Sequence, residues 1–305
     1  MIDFLRSEGI DAAVLERVED FRRCYPAAEA DAKRIPHPKF RYYGKDVWQK
    51  ALVALLAGEN ILLVGPKATG KNVLAENLAA VFSRPAWDIS FYLNTDAASL
   101  IGTDTFRDGA VCFRKGPVTQ CAEQGGFGVL DEINMAKNES LAVLHATLDF
   151  RRIIDVPGYD RITLSPCTRF IATMNYGYAG TRELNEALAS RFMVINMPVI
   201  SGENLKKLLL EQFPTLKEEY ASQLAALFED IRKKCDSSEI STKALDLRGL
   251  LAAVTLTQNG LRLGQALEMG IVNKSFDAFE RQLVADLIAG RVSGTLTAAD
   301  LFRAS

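Results

Sequence analysis

The sequence predicts an α/β protein, with a three-layer αβα core built on a parallel sheet of five strands and followed by an α-helical domain. Three observations carry that prediction. Between residues 41 and 200, short apolar runs alternate with amphipathic segments, the pattern of strands joined by crossover helices. After Pro198 the strand signals stop, and helical periodicity continues toward residue 305. The stretch GPKATGKN (65–72) lies directly between an apolar run and an amphipathic segment, where a strand would turn into a helix.

Taken in order, residues 1–40 open with apolar positions at helical spacing (Ile10, Val14, Leu15, Val18 and Phe21). IPHPKF (35–40) then breaks any continuing helix, so a small N-terminal helical appendage and linker are expected. In the α/β domain, 41–200, the predicted strands are Ile61–Val64, Ala86–Phe91, Phe127–Leu130, Arg169–Thr173 and Phe192–Met197. Each is short and apolar at consecutive positions, as expected of a strand covered on both faces. RRIIDVPGYDRITLSPCT (151–168) reads instead as a β-hairpin turning at VPGYD. In 201–305, LKKLLLEQF, EEYASQLAALFEDIRKK, TKALDLRGLLAAVTLTQ, LGQALEMGIVNK and FERQLVADLIAGRV all carry helical periodicity. There is no internal repeat and no low-complexity tract.

Composition excludes several classes. The chain is 48% hydrophobic and 24% charged with a net charge of −2, so no basic excess points to nucleic acid. The five cysteines (Cys24, Cys112, Cys121, Cys167, Cys235) are odd in number and never in C-x-x-C spacing, which argues against a disulfide framework or a zinc site. His37 and His145 are the only histidines, too few for a histidine metal centre. The charged N-terminus lacks a signal-peptide core, and no stretch nears the roughly 18 apolar residues of a membrane span. A cytoplasmic protein with no membrane partner is expected.

Four segments carry chemistry. In LLVGPKATGKNVL the Gly-x-x-x-x-Gly-Lys pattern falls on Gly65, Gly70 and Lys71, following a strand and opening a helix. That context turns a common pattern into a phosphate-binding loop, with backbone N–H groups and a helix N-terminus aimed at one place. The binding segment is Gly65, Pro66, Lys67, Ala68, Thr69, Gly70, Lys71, Asn72 and Val73, with Lys71 as the point charge. GFGVLDEIN (126–134) ends an apolar strand in Asp131 and Glu132, at the sheet edge where α/β folds bind ligands. Asp131 suits a magnesium contact and Glu132 a base that polarises water; alone, the pair could equally be surface acids. FIATMNYG (170–177) finishes its strand at Asn175, an amide able to orient water or touch a γ-phosphate. LNEALASRF (184–192) brings Arg191 to a domain edge, suited to acting in trans on a neighbouring subunit or to a surface salt bridge.

GPKATGKN, VLDE, IATMN and ALASRF, in that order before a helical domain, resemble an AAA+ ATPase, a P-loop NTPase. The nearer likeness is to the MoxR-like branch with its CbbQ-like and midasin- and dynein-related cousins. SLIGTDTFRDGAVCFRKGPV (99–118), through Leu100–Gly102 and Gly116–Pro117, and HATLDFRRIIDVPG resemble that branch too, and the likeness spans about residues 40–260. The resemblance implies an αβα core with a helical lid, ATP and Mg²⁺ as ligands, ATP hydrolysis to ADP, and a homo-oligomeric ring, usually a hexamer. It further implies a remodelled or activated protein client, often one with a von Willebrand factor A domain. Parts of 99–118 and 151–166 would face the pore or client, or be plain surface hairpins. Tyr42, Tyr43 and Gly44 would border the adenine, or pack under the lid.

Two departures from that pattern stand out. Asn72 replaces the Ser or Thr that ligates Mg²⁺; an amide oxygen is an acceptable hard ligand, so Asn72 and Asp131 are the expected metal residues. In the lid, Lys243 stands where relatives carry an arginine reaching the phosphates, with Arg248 five residues on. Five residues is about 140° round a helix, so both cannot serve one phosphate, and Lys243 is favoured. Lys71, Glu132, Asn175 and Arg191 are the expected catalytic set and point to a working ATPase. A nucleotide-gated scaffold with negligible hydrolysis is the alternative that Asn72 supports. A nucleic-acid NTPase like the McrB-type restriction GTPases draws on fold similarity alone.

Overall fold

A computed structural model describes residues 1–107, 109–176 and 183–303. Asp108 of the first insert, Gly177 after the asparagine strand, and Ala304 and Ser305 at the end of the helical domain lie outside the described residues. The chain divides into two compact units, Met1–Pro198 and Val199–Ser305.

The first unit runs α1 (Ile2–Ser7), α2 (Ala12–Cys24), α3 (Lys45–Leu56), β1 (Ile61–Val64), α4 (Lys71–Val81), β2 (Ala86–Ser90), α5 (Ala97–Ile101), β3 (Gly102–Arg107), β4 (Ala110–Lys115), α6 (Pro117–Gln124) and β5 (Phe127–Asp131). It continues through α7 (Asn138–Leu141), α8 (His145–Leu148), β6 (Ile153–Ile154), β7 (Ile162–Thr163), β8 (Arg169–Met174), α9 (Glu186–Ala189) and β9 (Met193–Asn196). The second is helical: α10 (Gly202–Gln212), α11 (Glu218–Asp236), α12 (Leu247–Gln258), α13 (Leu263–Gly270), α14 (Ala278–Arg291) and α15 (Ala298–Leu301).

Five strands form one parallel sheet in the order β2–β5–β8–β1–β9. Central β1 and β8 read as unbroken apolar runs because both faces are covered: Ile61 and Leu63 face one core, Leu62, Phe170 and Ala172 the other. The edge strands differ. In β2, Trp87 and Ile89 are buried while Asp88 and Ser90 are exposed, and in β9 Met193 and Val194 are exposed.

β1 and β8 meet with Val64 opposite Met174, and β5 meets β8 with Leu130 opposite Ala172. The loop after β1, the acids after β5 and the asparagine after β8 therefore emerge at one C-terminal sheet edge.

Residues 1–40 do not stand apart as an appendage. Phe4, Leu5, Ile10, Val14, Leu15, Val18 and Phe21 belong to the same buried cluster as Trp48, Leu74, Leu78, Phe82 and Phe127. Arg22 in α2 donates from Nε to the carbonyl of Val81 at 2.6 Å, satisfying an otherwise orphaned acceptor at the end of α4. A fifteen-residue amphipathic stretch read alone does not reveal what covers its apolar face. Phe21→Ala is expected to lower stability by about 3 kcal/mol, measured by urea unfolding; a loss well under about 1 kcal/mol would mean that α2 does not belong to this core.

The 151–168 segment is a hairpin as expected, with Ile153 paired to Thr163 and Ile154 to Ile162. β3 and β4 form a second hairpin inside 99–118, with Thr105 opposite Cys112. The two touch: Tyr159 donates from its hydroxyl to Asp104 Oδ1 at 2.7 Å, and its ring lies 5.1 Å from that of Phe113. Phe106 and Val111, a cross-strand pair on the first hairpin, are 76% and 65% exposed.

Candidate active site

Gly65 follows β1, and its N–H donates to the Met174 carbonyl at 3.2 Å. A Cβ at Gly65 would lie 2.8 Å from the Met197 carbonyl oxygen, so no side chain fits there. The loop then bends through two residues of positive φ, Ala68 (62°) and Gly70 (80°), and enters α4 at Lys71. Gly70 admits that geometry without cost. The ring of Tyr42 would lie 3.1 Å from a Cβ at Gly70, which seats this tyrosine against the loop. Asn77, about two turns further along α4, holds the same segment: its Oδ1 accepts from Tyr42 N–H at 3.3 Å and its Nδ2 donates to the Phe40 carbonyl at 2.8 Å.

Lys71 is buried, and its ammonium donates to the carbonyls of Gly65 (2.9 Å) and Pro66 (2.7 Å) and to Thr69 Oγ1 (3.2 Å). Burial lowers its pKa to about 8, against the opposing pull of Glu132 and Asp131. The free protein therefore loses this charge as pH rises through about 8, and an anion that needs it must recruit a proton. Phosphate-ligand affinity is expected to be level below that pH and to weaken toward about tenfold per unit above it, as fluorescence titration across pH 6.5–9.5, a range chosen to span that value, would show. For folding the sign is separate. A lysine whose folded pKa lies below its ordinary 10.5 disfavours folding fully at low pH, and that penalty is relieved as pH rises from about 8 toward 10.5.

The acidic pair stands opposite. Asp131 ends β5, and Glu132 follows with φ of 54°, left-handed for a non-glycine residue. Thr173 Oγ1 donates to Asp131 Oδ1 at 2.7 Å and accepts from the Glu132 N–H at 3.0 Å. Asn175, nearly buried, donates from Nδ2 to Glu132 Oε1 at 2.7 Å, and its carbonyl accepts from Asn134 Nδ2 at 2.9 Å. On β2, Asp88 is open to solvent on one side yet partly desolvated against the sheet, and that desolvation together with the nearby Asp131 charge raises its pKa. Asn72, second residue of α4, is exposed.

Two expected residues keep other company. Arg191 donates from Nε to the His145 carbonyl at 3.1 Å, from Nη1 to the Ala187 carbonyl, and from Nη2 to Asp149 at 3.5 Å. Asp149 also pairs with Arg151 at 2.6 Å. Lys243 belongs to the second unit, exposed, with its ammonium 5.8 Å from the centre of the Phe276 ring. It precedes α12 rather than lying on it, since residues 242–246 turn tightly through Leu245 N–H to the Thr242 carbonyl and bury Ala244 and Leu245. The helical angle assumed between Lys243 and Arg248 therefore does not apply: only Arg248, exposed in the first turn of α12, lies on that helix.

The AAA domain of the dynein-related subfamily matches residues 60–192, from the residue before β1 to the one before β9. The uncharacterized protein YojN of Bacillus subtilis (strain 168) is 34% identical over 242 residues, 78% of this chain and 79% of that protein. The chain belongs to the AAA+ family. Uncharacterized protein SAB1265c of Staphylococcus aureus (strain bovine RF122 / ET3-1) is 35% identical over 245 residues, 78% of this chain and 92% of that one. A solved structure from Cytophaga hutchinsonii ATCC 33406 aligns over 96% of this chain and 99% of that one, at 15% identity and a TM-score of 0.45.

Within the AAA+ core, Gly65 to Val73, Asp131, Glu132 and Asn175 converge at one sheet edge. Among the described residues no group of three or more His, Cys, Asp or Glu could hold a metal ion. The carboxylate of Asp131, one oxygen of which is taken by Thr173, fits Mg²⁺ instead, which takes one or two carboxylates and completes its shell from phosphates and water. No helix among the described residues is long and apolar enough to cross a membrane. The sequence reading passed over Thr173, Asn77 and Asn134. Thr173 is β-branched and looked like strand filling, and no spacing rule marks a polar side chain whose partners lie 41 or 42 residues away.

Proposed function

We propose that this AAA+ protein is a Mg²⁺-dependent ATPase of MoxR-like type that works as a homo-oligomeric ring, a hexamer, to remodel or activate a protein client in the cytoplasm. The observation that carries the reading is the hydrogen bond from Asn175 to Glu132, 2.7 Å, beside a lysine already inside the phosphate loop. A carboxylate gripped by a neighbouring amide is an oriented base, and one aimed beside a phosphate cradle suits activation of water.

In this reading Gly65 to Val73 hold the phosphates of ATP, Lys71 supplies charge to the terminal ones, and Asn72 and Asp131 hold Mg²⁺. Bound Mg²⁺ would neutralise charge on the transferred phosphoryl group. Glu132 accepts the proton of the attacking water, and Asn175 fixes where its carboxylate points. Arg191 serves a neighbouring subunit, which requires release from Asp149 and the His145 carbonyl as subunits assemble. Lys243 serves as the lid cation. A client bearing a von Willebrand factor A domain fits the resemblance, and the exposed Phe106 and Val111 on the first hairpin are candidates to meet it.

One observation favours a second reading. The exposed Asn72 leaves the metal position without a hydroxyl, which suits a nucleotide-gated scaffold with little turnover. Steady-state phosphate release from the wild type, with sedimentation in ATP and Mg²⁺, tests both. Wild-type release faster than that of Glu132→Gln, even if slow because of Asn72, and raised further in Asn72→Thr, supports the ATPase. Assembly in ATP with release no faster than that of Glu132→Gln would leave the scaffold standing instead.

A further inference from the structure

We propose that Thr173 is the positioning residue of the acidic pair, its single hydroxyl orienting Asp131 as a metal-facing carboxylate and setting the backbone from which Glu132 projects. The proposal deepens the ATPase reading and rests on it.

The pairing of β5 with β8 ends at Leu130 opposite Ala172. Beyond that point the chain of β5 has no further ladder partner on β8, yet it must still deliver two carboxylates to fixed places. Thr173, the next residue of β8 and fully buried, takes over where the ladder stops. A hydroxyl has one proton to give and two lone pairs to receive with. Here the proton goes to Asp131 Oδ1 at 2.7 Å, and a lone pair receives the Glu132 N–H at 3.0 Å.

Each bond settles one part of the acidic pair. Asp131 would otherwise turn about its own side-chain bonds, and the contact to Thr173 selects which oxygen stays free. Glu132 sits at φ 54°, a left-handed conformation that non-glycine residues hold only where their surroundings impose it. The Thr173 oxygen gives its N–H a partner in that conformation. Asn175, two residues on and so on the same side of an extended chain, then grips the carboxylate of Glu132 at 2.7 Å. Backbone and head group of Glu132 are thus both held from β8, at two points spaced as the pleat dictates.

The Thr173 hydroxyl is committed to Asp131 and to the Glu132 N–H, so its effect reaches the reaction through geometry. Displacing a catalytic group by around 1 Å can cost about 10²-fold in rate, which sets the scale expected here.

The test compares Thr173→Val, nearly the same shape without the hydroxyl, with Thr173→Ser, which keeps it. Three quantities are read: the dissociation constant of a fluorescent ATP analogue with and without Mg²⁺, kcat and KM for phosphate release, and the urea midpoint. Thr173→Val is expected to lower kcat by about 30- to 100-fold and to lose the tightening of nucleotide binding by Mg²⁺, with KM rising by no more than that lost tightening. Thr173→Ser is expected to recover most of both. The proposal is overturned if the valine variant keeps wild-type kcat and Mg²⁺ response, or if the serine variant falls as far as valine, since the missing methyl would then be the cause. It is overturned equally if wild-type affinity ignores Mg²⁺. A wild type that releases no phosphate removes the ATPase reading alone; the Mg²⁺ response of the two variants still decides Thr173. Should valine fail to fold, Thr173→Ala is read in the same way, and two unfolded variants would assign the hydroxyl to stability and overturn the proposal.

Discussion

Glu132→Gln is expected to lower phosphate release by about 10²- to 10⁴-fold, the range a positioned general base contributes, while ATP binding stays within a few-fold of wild type. The geometry predicts this separation of effects. Glutamine keeps an oxygen where Asn175 Nδ2 now donates at 2.7 Å, so the side chain stays in place and only its capacity to accept a proton is lost. Thr173 and the phosphate loop are untouched, because the Glu132 backbone N–H remains bonded to Thr173 Oγ1. Single-turnover release beside equilibrium binding of ATP measures the two arms. If kcat falls by less than about fivefold, Glu132 is not the base; if binding collapses with it, the carboxylate was holding the nucleotide rather than water. The same variant should accumulate the ATP-bound assembly, whose subunit number sedimentation would then give.

Phe82→Ala is expected to cost about 3–5 kcal/mol in unfolding free energy, as for other fully buried aromatics truncated to alanine. Phe82 closes the C-terminal end of α4, wholly buried, edge-on to Phe21 at 5.1 Å and tilted against Phe127 at 5.3 Å. One ring thus joins the helix that opens at the phosphate loop, the strand that ends in the acidic pair, and the N-terminal α2. Urea unfolding followed by tryptophan fluorescence reads the loss through Trp48 and Trp87. A change below about 1.5 kcal/mol would mean that the surroundings collapse into the space, and that this three-way junction is softer than its packing suggests.

Much of the nucleotide-binding core was legible because its chemistry is local. The loop is contiguous from Gly65 to Val73, and Asp131 is adjacent to Glu132, so spacing along the chain already implies proximity in space. The strands before them announced themselves through consecutive apolar residues, since burial on both faces leaves no polar alternation to confuse the period. Where the signal was weaker the physical reason is equally local. β6 and β7 are two residues each, too short for periodicity, and were found through the turn between them. Residues 242–246 shared the helical composition of α12 but turn back on themselves, because burying Ala244 and Leu245 there outweighs extending the helix.

For Arg191 the kind of partner was legible as one of two alternatives, but not which acid would supply it. The sequence offered a neighbouring subunit or a surface salt bridge, and within one chain the guanidinium meets Asp149 and the His145 carbonyl. The role of residues 1–40 was equally hidden, for an amphipathic helix declares that it has an apolar face and is silent about what covers it.

From its residues alone this chain declared an αβα fold, the strand order of its chemistry-bearing segments along the chain, and the loop in which Lys71 sits, because each depends on neighbours a few positions apart. Only the folded sheet decided that Thr173 would face Asp131 and Asn175 would face Glu132. Those pairs join residues 42 and 43 positions apart, and such meetings are set by strand register, which the packing of the whole core selects.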